Sequence, residues 1–145
     1  MYRAVRAGRR HPLLIACAAG LAITGASSGA ALAGSPYTVA VTVAPSQIPL
    51  HGVATVTASG NSANLSRLRV FLNRTALCQL TAAGDAAIAT DVLLIKATVV
   101  HAYTKARAFG GKFAGNHLVC AYLTSVPPPS PTLLRAHASA PFVVG

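Results

Sequence analysis

The sequence predicts an all-β domain, an antiparallel β-sandwich of about seven short strands held by one disulfide. Three observations predict it. Apolar and β-branched residues alternate with period two in most segments after residue 34. Gly, Pro and Asn punctuate those segments at the regular spacing of a sandwich. Two cysteines, Cys78 and Cys120, sit in apolar, strand-like runs.

The strands follow in order. Tyr37, Val39, Val41 and Val43 alternate with Thr38, Ala40 and Thr42, the mark of a half-buried strand. Pro45 and Pro49 open a loop. Residues 53–59 read as a second strand with Ala54, Val56 and Ala58 inward, and Gly60-Asn61 as a turn. Residues 65–72 give a third strand. Leu68, Val70 and Leu72 share one face; Arg67, Arg69 and Phe71 share the other. Asn73-Arg74-Thr75 turns the chain into a short strand over 77–81, followed by a flexible stretch at 82–85. Residues 92–103 are rich in Val, Ile and Thr and read as strand, although their length also permits a helix. Gly110-Gly111 and Gly115-Asn116 bound a loop or hairpin. Residues 117–123 form a strand with Leu118, Cys120 and Tyr122 on one face. The 126–131 segment, VPPPSP, is a stiff polyproline-like loop. Residues 134–144 close the chain. Leu134, Ala136, Ala138, Ala140 and Phe142 point inward, Arg135, His137 and Ser139 outward, and Pro141 marks an edge or a bulge.

Residues 1–33 carry the three parts of a cleavable secretory signal peptide. Arg3, Arg6, Arg9 and Arg10 form a cationic n-region, residues 13–24 an apolar h-region, and Ala31-Leu32-Ala33 an A-x-A cleavage site before Gly34. A retained anchor is the rival reading, but a span needs roughly 20 apolar residues and the h-region is shorter. Leu14-Ile15-Ala16-Cys17 also resembles a lipobox, which would tether the chain through a lipidated Cys17. Arg9-Arg10 suggests a twin-arginine signal, against which stands Pro12. The expectation is a single mature domain, residues 34–145, that meets the membrane only during export and works outside the cell or at its envelope.

Cleavage would leave 112 of the 145 residues, with eight Lys and Arg against two acids, Asp85 and Asp91, a net charge of +6. A basic exported domain suits an anionic cell-wall polymer, a polysaccharide or another envelope protein. Nucleic acid is not expected, since export separates the two and no basic stripe interleaved with aromatics is visible. Few charges and 53% hydrophobic residues argue against disorder. Abundant Ala, Val and Arg with scarce Lys point to a bacterial, GC-rich gene.

With Cys17 removed, an even pair of cysteines in an exported chain predicts a Cys78–Cys120 disulfide. The run YTVAVTVAPSQIPLHGVATVTASG, then LSRLRVFLN with Cys78, then HLVCAYL and a last alternating strand, resembles a bacterial immunoglobulin-like domain across residues 37–144. The resemblance implies an immunoglobulin-like sandwich scaffold and no particular function. The chain departs from antibody-type domains: it has no Trp, and Cys78 follows the third strand rather than lying in the second.

Catalysis is not expected, and no catalytic residues are assigned. Asp85 and Asp91 are a poor pair for glycoside hydrolysis. No G-x-S-x-G elbow or phosphate-binding glycine motif occurs. His51, His101, His117 and His137 lack metal-ligand spacing, so neither metal nor cofactor is expected. Asn64-Leu65-Ser66 and Asn73-Arg74-Thr75 match the glycosylation pattern, by chance in a bacterial chain. The candidate binding patch is Arg67, Arg69 and Phe71, a small cationic-aromatic face for an anionic ligand. The expected function is a non-catalytic binding or structural module; the alternatives are a carrier with an apolar cleft, a secreted enzyme inhibitor, or a small enzyme.

Overall fold

A computed structural model describes residues 34–74, 77–126 and 132–145. The signal peptide expected at 1–33, with Cys17, and also Thr75 and most of the proline-rich loop (127–131) lie outside the described residues. The chain forms β1 (Tyr37–Ala44), β2 (Gln47–Ile48), β3 (Val53–Asn73), a short helix α1 (Ala82–Ala87), β4 (Val92–Gly110), β5 (Gly115–Ser125) and β6 (Leu134–Val144). One sheet holds all six strands in the order β1-β3-β5-β6-β2, with β4 on the other side of β3. The protein is therefore all-β, as the alternation predicts, but it is a single sheet nearly closed on itself rather than a plain two-sheet sandwich.

The difference comes from β3. The expected turn at Gly60-Asn61 does not form, and the two strands predicted on either side of it are one strand of 21 residues. Straight, such a strand would run about 70 Å, far beyond the width of a domain this size. It bends at a bulge. Ser62 pairs with His101 and Ser66 with Val99, so three residues of β3 oppose one of β4. His101 takes up the bend in the left-handed region, at φ 57°. A bulge of this kind sharpens twist and turns the strand. Beyond it β3 changes neighbour: residues 55–62 pair with β1, residues 66–73 with β5, and β4 accompanies both halves. The sheet thus folds over, and β1 packs on β5 and β6.

The bulge is a polar hinge with its hydrogen bonds made. The Ser62 and Ser66 side chains are buried; Ser62 Oγ donates to the Asn64 carbonyl at 2.6 Å and accepts from Ser66 Oγ at 2.6 Å. Arg135 is not simply outward, as its position in the alternation suggests. Its Nη1 donates to Ser66 Oγ at 2.7 Å and to the Leu65 carbonyl at 3.2 Å, and its guanidinium lies over the Tyr37 ring. A cation with donors and a flat face suits exposed bulge carbonyls beside an aromatic ring.

Gly60 is needed inside the strand for closeness rather than for turning. A Cβ there would sit 2.0 Å from the Thr38 carbonyl oxygen and 2.9 Å from the Tyr103 hydroxyl. Glycine in a strand often marks such an approach. Tyr103 uses the gap: its hydroxyl donates to Thr38 O at 2.9 Å.

Inside the fold lie Val39 and Val41 of β1, Val56 and Leu68 of β3, Val119 and Leu123 of β5, and Phe142 of β6. Phe109 meets Phe142 edge to face at 5.1 Å. Ala54, Val56 and Ala58 point inward as expected, as do Ala138, Ala140 and Phe142, whereas Leu134 at the start of β6 is exposed. Residues 92–103 are strand, within the longer β4. The short strand expected over 77–81 is absent, and α1 replaces the flexible stretch that follows it. Thr81 caps the helix by accepting from Gly84 N at 3.0 Å, and Ala82 and Ala83 favour it.

Burial pushes the Tyr103 phenol up to about 12 and raises that of Tyr122 as well, with help from Asp85. The unfolded phenol titrates near 10. Both groups therefore contribute stability that is complete below pH 10 and falls as pH rises above it, the Tyr103 share being lost by about pH 12. Each should lower unfolding free energy by about 1 kcal/mol per pH unit in that window. Urea unfolding between pH 9 and 11 should show the loss, and Tyr103→Phe should roughly halve its slope. An unchanged slope would refute the assignment to Tyr103.

Candidate functional site

The outer face of the β4-β3-β5 region carries the candidate site. Arg67 and Arg69 lie two apart on β3, so both point to this face, with Arg67 exposed and Arg69 half-buried. Phe71 shares the face but not the exposure. It is 3% exposed, and the patch loses its expected aromatic member. Phe71 packs with Ala82, Cys120 and Tyr122 into a second, smaller core, with Cys78 and Leu118 at its margin. Its ring meets Tyr122 edge to face at 6.2 Å. The helix and the disulfide roof this end of the sheet, so the outer face is apolar here without being wet.

The roof is anchored covalently and by hydrogen bonds. Cys78 and Cys120 form the expected disulfide, with S–S 1.99 Å and Cα–Cα 5.7 Å. Tyr122 donates to Gln79 O at 2.5 Å, Gln79 N donates to Asp85 Oδ1 at 3.0 Å, and Asn73 Nδ2 donates to Leu77 O at 2.6 Å. Asp85, in the first turn of α1, is wholly buried. One of the two acids of residues 34–145 is thus spent on structure.

Lys96 takes the place that Phe71 leaves. It stands directly opposite Arg69 in the β3–β4 register and is exposed. Sequence reading missed it because the register across two strands is not written in either one. The only local signal was its place on the polar side of the 92–103 alternation. Three shallow depressions run along this row of cations. One of 330 Å³ is bordered by Arg69, Lys96, Asp91 and Leu93. One of 220 Å³ lies among Arg67, Arg69, Lys96 and Thr98. One of 210 Å³ is bordered by Arg67, Arg69, Thr124 and the Thr81 end of α1. Burial raises the Asp91 carboxyl above its ordinary range, against a backbone hydrogen bond from Arg74 that lowers it.

No family model matches the chain. No curated protein matches it either. Among solved structures it is similar to the CARDB domain of a Pyrococcus furiosus protein, solved with di-metal ions, at 12% identity and a TM-score of 0.46 over 75% of this chain and 89% of that one. It is also similar to the soluble domain of PmoD from Methylocystis, at 14% identity and a TM-score of 0.37 over 78% of this chain and 99% of that one. Among the described residues no three His, Cys, Asp or Glu side chains gather to hold a metal, and no helix is long and apolar enough to cross a membrane.

What the face can do follows from its charges. Like charges directly opposed across two strands are destabilising, and Arg69 faces Lys96. A single carboxylate, Asp91, borders the row. The arrangement can bind anions. It offers no pair of carboxylates for acid–base work, since Asp85 is buried on the inner side of α1.

Proposed function

We propose that the chain is an exported, disulfide-stapled module of the immunoglobulin-like class that binds rather than catalyses, and that it holds an anionic polymer of the cell envelope on the face of Arg67, Arg69 and Lys96. The observation that carries this reading is the direct opposition of Arg69 and Lys96, with Arg67 two residues along the same row. An anion between them would relieve a repulsion built into the register. Neighbouring residues on one strand face lie about 7 Å apart, and paired residues on adjacent strands about 5 Å. The cations are therefore spaced for a chain of repeating charges better than for one small ion. The disulfide suits an oxidising compartment, and the signal peptide expected at 1–33 supplies the route to it.

The test is binding of the mature protein to polygalacturonate, with neutral dextran as the control. Binding should weaken with added salt, as screening requires. Arg69→Ala or Lys96→Ala should each cost two- to fivefold in affinity, and the double variant about tenfold. Equal binding to dextran, or a double variant that binds like the parent, would overturn the reading.

A further inference from the structure

A separate cleft opens where the folded-over sheet fails to close. β4 is the edge strand of both halves of the fold, because it follows β3 on one side along its whole length. Across the open seam Arg107 Nη1, from the second half of β4, donates to the carbonyl of Leu94 in the first half, at 2.5 Å. Beside this clasp lies a cavity of about 240 Å³. Its floor is the main core itself: Leu94 and Val144 are buried, and Leu72 and Phe109 pack against them. Its mouth holds three of the larger exposed apolar side chains, Val92, Leu93 and Phe113.

The charged side chains at this cleft are all of one sign. Arg74, Arg107 and Lys112 line it beside His117, and no carboxylate does. Arg74 is held in place with its guanidinium 3.6 Å from the centre of the Phe113 ring. His117 is 7% exposed and its Nε2 lies 2.8 Å from Phe113 O. A carbonyl only accepts, so Nε2 carries the proton of that bond. The other ring nitrogen, Nδ1, is buried without a hydrogen-bond partner.

We infer that the cleft is a binding site for a small amphipathic carboxylate, with its single apolar tail on the Leu94–Val144 floor and its head between Arg74 and Lys112. The tail satisfies the apolar floor and the head satisfies the cations. The volume suits one short tail: it is below the roughly 300–1,000 Å³ of drug-sized sites and equals the space of about eight waters, enough for about six to eight carbons or one aromatic ring. The site is distinct from the polymer face. It shares only Leu93 with the depression beside Arg69 and Lys96.

Octanoate is the probe, with octanol as the same tail without charge and acetate as the head without a tail. Calorimetry on the mature protein should show octanoate binding at least tenfold tighter than octanol, and acetate not binding. Lys112→Ala and Arg74→Gln should each weaken octanoate several-fold and leave octanol unchanged. Ala108→Trp, an exposed position at the cleft wall, should block both. Arg69→Ala with Lys96→Ala should leave octanoate binding intact, which separates this site from the polymer face. Octanol binding as tightly as octanoate would overturn the anion site. Absence of octanoate binding, or octanoate binding undisturbed by Ala108→Trp, would overturn the cleft itself.

Discussion

Breaking the Cys78–Cys120 bridge should cost about 4 kcal/mol of stability. The two cysteines are 42 residues apart, and closing a loop of that length removes about that much free energy's worth of freedom from the unfolded chain. Against a total of roughly 5–15 kcal/mol for a typical domain, that leaves a protein near its margin. The native side adds to the effect. Cys120 is fully buried on the central strand β5, whereas Cys78 belongs to a segment that joins no strand and hangs from the bridge and a few hydrogen bonds. The Cys78→Ala/Cys120→Ala double variant should melt about 15–20 °C lower. Amide exchange should speed up most in α1 and residues 77–81, since the roof opens before the main core. Equal melting temperatures for the parent and the double variant would refute the role given to the bridge.

Gly60→Ala should cost about 3 kcal/mol, near the upper end for forcing a methyl into packed space. The clash is with backbone: the new Cβ would fall 2.0 Å from Thr38 O. A side chain can swing aside, but moving this oxygen means prising β1 from β3. The hydrogen bond from Tyr103 to the same oxygen would go with it. The matched control is Gly110→Ala, where the nearest atom would be 3.8 Å away. That change should be neutral, or slightly stabilising through the unfolded chain. Urea unfolding of both variants decides the matter: if they differ by less than 1 kcal/mol, the close approach at Gly60 is not tight.

These two glycines show how far the sequence could be read. The alternation of Val39 and Val41, of Leu68 and Val70, and of Ala138, Ala140 and Phe142 gave the inward faces correctly, because burial on one side of a strand leaves a period-two trace. Gly60-Asn61 looked like a turn because a turn and a close backbone approach ask for the same residue. The bend four residues on is made by Ser62, Ser66 and Arg135, whose roles exist only once β6 has been brought up to β3. Thr81 followed by two alanines did mark a helix start, but a helix of six residues leaves little pattern. The candidate patch was half legible. Arg67 and Arg69 lie where alternation puts them. Phe71 is hidden by a helix whose docking depends on a disulfide, and Lys96 joins through a register that one strand cannot announce.

The small parallel pairing of β2 with β6 has a consequence for how the chain reaches its structure. Gln47 pairs with Val143 and Ile48 with Val144, contacts between residues almost a whole domain apart. β3 likewise waits for β5 along residues 66–73. Such distant partners raise contact order, and chains of this kind fold in milliseconds to seconds rather than microseconds. β1, β3 and β4 can assemble early as a neighbouring set, but their apolar inner face stays uncovered until β5 and β6 arrive. Assembly therefore finishes only when residues 143 and 144 are present, so a chain emerging amino end first carries its half-made core in the open until those residues have been made.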